Sequence, residues 1–249
     1  MISVYPDLEA LSRAAADLFA ERVVRAVADH GRCAILLAGG ETPRSTYELL
    51  VEKPLRDQVP WRGLHLFWGD ERCVSPDDPR SNARMVHRAL IDRVPVPAGQ
   101  VYPIPGDGDP RQAADEYEEL LRRFFAGAAP RFDLVLLGLG NDGHTASLFP
   151  DSPALEERQR WASVTRRAGE EIVRVTLTPR LINQADLIVF LVAGEDKATV
   201  LREVLENHPD PRSLPARMIM PEQGELRWLV DKSAARMLRN TEDSLQIVV

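Results

Sequence analysis

Cysteine is scarce in this chain: two in 249 residues, Cys33 and Cys73. Two thiols cannot build a disulfide framework, and the pair fits a reducing compartment. Cys33 lies inside an apolar run and is expected in the core; Cys73 follows a charged triplet and is expected to be partly exposed. Metal-ligand spacing is also missing: there is no C-x-x-C, no H-E-x-x-H and no close histidine pair. The longest apolar stretches are strand-sized, against the roughly 20 residues a bilayer span needs. Positive charge is in deficit, with a net charge of −7, which argues against a general nucleic-acid partner. An anionic ligand would therefore have to find a local positive pocket. The first residues, MISVYPDLEALSRAAADLF, have neither a basic n-region nor an unbroken apolar core, so they do not read as a signal peptide and the expected location is cytoplasmic. No repeat and no low-complexity tract is present. Spacing shows no unusual apolar surface, so it leaves the oligomeric state open.

What is present is a chain 44% hydrophobic, enough for a full core. Residues 7–29 have helical apolar spacing and end at Gly31. Strands are expected at Arg32–Ala38, Leu64–Trp68, Phe132–Leu137, Ile172–Leu177, Leu187–Ala193 and Leu226–Val230. Helices are expected from Pro43 to Val51, from Ser81 to about Arg93, over 111–126, from Lys197 to about Glu206 and over Ser233–Arg239. Residues 94–110 are rich in proline and glycine and read as a long surface loop within one domain spanning 1–249. Strands and helices alternate, which predicts an α/β fold with a mostly parallel sheet covered on both faces.

The chemistry-bearing residues fall at strand ends, where open α/β sheets bind ligands. Gly39-Gly40-Glu41-Thr42-Pro43 joins a strand to a helix, and reads either as a phosphate cradle of backbone N–H groups plus the Thr42 hydroxyl or as an ordinary tight turn. Asp70-Glu71-Arg72 reads as a solvated loop or as a source of a guanidinium for an anion, with Asn82 close enough in sequence to join it. Gly138-Leu139-Gly140-Asn141-Asp142-Gly143 matches G-x-G-x-x-G. A dinucleotide site would need a long following helix and a carboxylate on a second strand about 20 residues on. Pro150 cuts any helix to about two turns, and the segment around Glu156–Arg160 is charged rather than strand-like.

Five histidines are present: His30, His65, His87, His144 and His208. His30 and His208 lie at helix ends and are expected to be exposed, His65 begins a strand and His87 lies within a helix. Only His144 follows two glycines and an aspartate in a turn, and an imidazole there suits proton transfer near neutral pH. Gly194-Glu195-Asp196-Lys197 repeats the strand–turn–helix pattern, placing the Lys197 ammonium against a helix dipole. Arg166, Arg167 and Arg217 are further cations that spacing does not rank.

These motifs resemble the 6-phosphogluconolactonase family over nearly the whole chain. The resemblance is carried by GLGNDGHTASLFP at 138–150, with AGGETP at 38–43, WGDER at 68–72 followed by Asn82, AGEDKA at 193–198 and WLVD at 228–231. It implies a three-layer α/β/α sandwich with a Rossmann-like sheet, shared with amino-sugar-phosphate deaminases and ribose-phosphate isomerases. It implies hydrolysis of 6-phosphoglucono-1,5-lactone to 6-phosphogluconate, the second step of the oxidative pentose phosphate pathway, with a small sugar-phosphate lactone as partner and no cofactor. By that resemblance Gly39, Gly40, Thr42, Arg72, Asn82, Gly143 and Lys197 bind substrate or its phosphate, with Arg166 or Arg167 closing the site. His144 is the expected base, oriented by Asp70 or Asp142, with Asp70 slightly favoured, and amides around Gly143 are expected at the oxyanion. Two positions depart from the family pattern: Glu41 replaces a usual serine and is expected to point away from the phosphate, and Arg217 stands where a small polar residue is often found. A glucosamine-6-phosphate deaminase is the nearest rival, but its ring-opening glutamate falls at Phe149 here. A non-catalytic sugar-phosphate sensor is the other rival, and would have no need of His144.

Overall fold

The structure is a computed structural model that describes residues 1–126, 130–207, 210–239 and the backbone of 245–247. His208 lies outside the described residues. The strands are β1 (Ile2–Tyr5), β2 (Cys33–Leu37), β3 (Leu64–Trp68), β4 (Asp70–Arg72), β5 (Val101–Tyr102), β6 (Leu134–Leu137), β7 (Ala162–Arg166), β8 (Val173–Leu177), β9 (Leu187–Val192), β10 (Glu225–Asp231) and β11 (Leu245–Ile247). The helices are α1 (Leu8–His30), α2 (Glu41–Leu50), α3 (Leu55–Gln58), α4 (Asn82–Ala89), α5 (Pro110–Phe125), α6 (Pro179–Ile182), α7 (Ala198–Glu206) and α8 (Lys232–Ala235).

Eight strands form one sheet in the order β11-β1-β10-β9-β6-β2-β3-β5, every pairing parallel. Helices flank it, giving the layered α/β fold expected. The central strands are apolar runs because both faces are covered: all of β2, β6 and β9 are buried. Long helices begin and end as their sequences dictate. Asp7 caps α1 by accepting the Ala10 N–H at 2.9 Å, and Gly31, at φ 82°, closes its other end onto the Val27 carbonyl.

The segment expected as a strand near 172–177 exists, but belongs to a second, antiparallel sheet of order β4-β8-β7. The charged triplet Asp70-Glu71-Arg72 is thus a strand of that small sheet and not a loop. Glu71 explains why: its buried carboxylate accepts N–H bonds from Arg72, Asn82 and Ala83 and the Ser81 hydroxyl. Burial raises its pKa against the pull of those donors. Helix α2 starts two residues before the expected Pro43. The 94–110 stretch contains the short edge strand β5, and β1 and β7 were not anticipated. No described helix is long and apolar enough to cross a membrane.

Chain order places the site. From β2 the chain moves outward to β3 and β5, then returns to β6 on the other side of β2. Loops leaving β2 and β6 therefore diverge in opposite directions, opening a crevice at their carboxyl ends.

Candidate active site

A cavity of about 460 Å³ occupies that crevice. Four adjacent central strands each deliver one segment to it: β9, β6 and β2 the loops 193–197, 138–146 and 38–43, and β3 the strand β4 that follows it. Most expected site residues meet there: Gly39, Gly40, Thr42, Asp70, Arg72, Asn82, His144 and Lys197 all line it. Asp142, Gly143, Arg166, Arg167 and Arg217 do not line it.

The β2 loop is anchored by the buried Tyr47 hydroxyl, which accepts the Ala38 N–H and donates to the Ala38 carbonyl, both at 3.0 Å. Beyond it, a Cβ on Gly39 would come within 2.0 Å of Asn82 Oδ1, so glycine is required where Asn82 crosses the loop. Gly40, at φ 101°, takes a left-handed conformation that lets α2 begin at Glu41. The first helical bond runs from Arg44 to the Gly40 carbonyl, leaving the Glu41 and Thr42 N–H groups at the cavity without intrahelical partners. Glu41 belongs to the cavity lining, and its exposed carboxylate is paired with Arg44 at 3.2 Å.

His144 sits in a turn closed by two backbone bonds, from Gly140 N–H to the His144 carbonyl at 2.8 Å and from Gly143 N–H to the Gly140 carbonyl at 3.0 Å. No helix follows β6, only turns and an isolated bridge between Thr145 and Leu148, so the G-x-G-x-x-G match lacks the helix a dinucleotide needs. Of the amides around Gly143 expected at the oxyanion, the Gly143 N–H itself is spent inside the turn. Gly143 is buried at φ 77°, and its carbonyl accepts the Ala216 N–H.

Asp142, and not Asp70, holds the imidazole. Its Oδ1 contacts His144 Nδ1 and also accepts the His144 backbone N–H at 3.2 Å. With Nδ1 taken, Nε2 is the nitrogen available for proton transfer. Partial burial pushes the Asp142 carboxyl up, but the hydrogen bond and charge of His144 and the Arg167 guanidinium outweigh it, holding it well below the usual carboxylate range. Asp70 is buried with both oxygens occupied: Oδ2 accepts the Ser147 hydroxyl at 2.5 Å and Oδ1 the Asn82 amide at 3.1 Å. It ties β4 and Asn82 to the His144 turn.

The cations differ from the expected set. Arg72 lines the cavity, donating to the Arg80 carbonyl at 2.6 Å. Lys197 contacts Asn141 and lies 3.3 Å from Asp196. Arg166 is exposed on β7, and Arg217 lies on the 3₁₀ turn Pro215–Met218. Arg174, which sequence reasoning missed, is buried on β8 and lines the cavity. Its guanidinium lies 5.1 Å from the Phe149 ring centroid and donates to Glu170 at 2.6 Å. The His144 ring packs on the same phenyl group, 4.9 Å between centroids. Among the described residues, the buried Nε atoms of Arg72 and Arg174 have no hydrogen-bond partner. Both guanidinium-bearing residues belong to the cavity lining, where charge-assisted donors suit an anion. The only sequence signal for Arg174 was an arginine at the second position of the apolar run Val173–Leu177. Among the described residues, no group of three or more His, Cys, Asp or Glu side chains is arranged to hold a metal ion.

Comparison with known proteins places the chain in a family. A family model described as glucosamine-6-phosphate isomerases/6-phosphogluconolactonase matches residues 6–228. A 6-phosphogluconolactonase of Synechocystis sp. is 47% identical over 222 residues, covering 88% of this chain and 90% of the relative. The solved 6-phosphogluconolactonase of Trypanosoma brucei is 30% identical, with a TM-score of 0.82 over 96% of this chain and 98% of that one. A monomeric glucosamine-6-phosphate deaminase reaches a TM-score of 0.80 at 20% identity over 95% of this chain and 99% of that one, a likeness of fold alone.

Proposed function

The chain belongs to the family of glucosamine-6-phosphate isomerases and 6-phosphogluconolactonases, and from that premise we propose that its cavity hydrolyses 6-phosphoglucono-1,5-lactone to 6-phosphogluconate with His144 as general base. Lactonase activity in the pentose phosphate pathway rests on the similarity to the lactonase relatives over most of the chain. The observation that supports the mechanism is one cavity lined both by a carboxylate-oriented imidazole and by the two arginines Arg72 and Arg174.

Arg72, Arg174, Lys197 and the N–H groups opening α2 grip the phosphate, a dianion suited to charge-assisted donors. That grip positions the lactone carbonyl carbon, C1, near the imidazole, and binding energy from the remote phosphate serves the chemistry at C1. Neutral His144 takes a proton from water through Nε2, and the resulting hydroxide adds to C1. The tetrahedral intermediate collapses with cleavage of the bond between C1 and the ring oxygen, and the imidazolium returns its proton to that departing oxygen. Asp142 stabilises the imidazolium between the two transfers, and its depressed pKa keeps it ionised throughout. Phe149, buried beside the imidazole, offers no proton where a deaminase needs one.

The test compares the pure protein on the phosphorylated lactone and on glucono-1,5-lactone, subtracting spontaneous hydrolysis. Losing the phosphate removes at least two charge-assisted contacts of about 1.5–3 kcal/mol each, so kcat/KM should fall by roughly 10²–10⁴. Equal rates on the two lactones would refute the phosphate grip. Release of ammonia from glucosamine 6-phosphate would instead establish the deaminase reading.

A further inference from the structure

Arg167, one of the two arginines expected as closers of the phosphate site, contacts the carboxylate that holds the imidazole. Its NH2 lies 2.9 Å from Asp142 Oδ2, the oxygen His144 does not use, and it is absent from the cavity lining. Each oxygen of Asp142 therefore has one owner, His144 on Oδ1 and Arg167 on Oδ2. Arg167 is itself tethered: its NH1 lies 3.2 Å from Glu170 Oε1, while Glu170 Oε2 accepts from Arg174 at 2.6 Å. The result is a continuous chain of opposite charges, His144–Asp142–Arg167–Glu170–Arg174, running from the imidazole to one of the cavity's cations behind the Phe149 ring.

We propose that Arg167 is a positioning residue for the hydrolysis, fixing Asp142 against His144 and offsetting the carboxylate's charge so that the imidazole stays an effective base at lower pH. The proposal rests on the general-base reading above. The physical reasoning is direct. An ionised Asp142 alone favours the protonated imidazolium, which cannot accept a proton from water. A guanidinium on the far oxygen opposes that preference. The same contact restrains rotation of the carboxylate and hence of the ring it holds. The other charges around the cavity are Asp70 and Arg72 from β4, Arg174 from β8, Lys197 and Asp196 from the turn before α7, and Glu41 from α2. Of these, only Arg174 is linked to Arg167, through Glu170, and KM reports whether its position is disturbed.

The experiment is Arg167→Gln beside Arg167→Lys. Loss of the positive charge favours imidazolium, so the acid limb of kcat/KM should move to higher pH. The Arg167 side chain is 40% exposed, so screening limits the move to roughly half a pH unit. That is about a threefold loss on the acid side of the profile. The plateau kcat should fall a few-fold from looser orientation, while KM stays within twofold. Arg167→Lys, which keeps the charge, should restore the limb. A tenfold rise in KM with an unmoved limb would show Arg167 to be a substrate ligand and overturn the proposal, as would a profile identical to wild type. NMR titration of the histidine ring signals, with His144 identified by loss of its signal in His144→Gln, gives an arm independent of catalysis. If the His144 midpoint rises in Arg167→Gln but the kinetic limb stays put, Arg167 positions the imidazole and the general-base assignment fails. If neither moves, the Arg167 proposal fails alone.

Discussion

His144→Ala should slow turnover of fresh lactone by about 10²–10⁴-fold, the usual worth of a positioned acid–base group. The chain should fold normally. The imidazole is 22% exposed, and its removal leaves Asp142 still paired with Arg167, so no buried charge is orphaned. KM should change little, because Arg72, Arg174 and Lys197, the proposed phosphate ligands, sit on other segments. The measurement is initial-rate turnover against freshly made lactone with the uncatalysed rate subtracted, alongside a thermal melt. A loss smaller than tenfold in a folded variant would remove His144 from the role of base. The residual rate would then reflect positioning by the phosphate grip alone.

Gly140→Ala should be nearly as damaging, although it deletes nothing. A methyl group on Gly140 would lie 2.0 Å from His144 Nδ1 and 2.1 Å from Cε1. The backbone cannot yield easily, because Gly140 and His144 are joined by a main-chain bond at 2.8 Å. The ring must therefore swing off Asp142, losing both its orientation and its fixed tautomer. Turnover should drop by about two orders of magnitude or more, with KM again close to wild type. Gly99→Ala is the matched control, since a methyl there meets nothing within 4 Å and should leave rate and melting temperature unchanged. A Gly140→Ala enzyme with wild-type turnover would mean that the Asp142–His144 contact is dispensable. The two variants together separate loss of the imidazole from loss of its placement.

The legibility of this chain follows from where its signals are local. The buried parallel strands β2, β3, β6 and β9 announce themselves as apolar runs because both faces are covered. The glycines and His144 at their carboxyl ends are likewise contiguous in sequence. The antiparallel sheet was hidden for the opposite reason. Asp70–Arg72 looks like a solvated triplet, and only the fold brings Ser81, Asn82 and Ala83 to satisfy Glu71. Strand β5 has two residues inside a proline- and glycine-rich stretch, and β1 has four. Arg174 escaped because a lone arginine in Val173–Leu177 gives no hint that the strand's partner, β4, carries Arg72. The choice between Asp70 and Asp142 also could not be made from spacing. Ser147 and Asn82, which occupy Asp70, are 77 and 12 residues away from it in the chain.

One pairing in the small sheet has a cost. Arg72 and Arg174 stand directly opposite each other on adjacent antiparallel strands. Like charges in that relation repel and weaken the strands that bear them. A neutral residue of similar length at either position would be expected to toughen the scaffold even as it blunted the capture of anions. If the pair serves the proposed phosphate grip, thermostability selected without regard to activity would tend to erode this couple first.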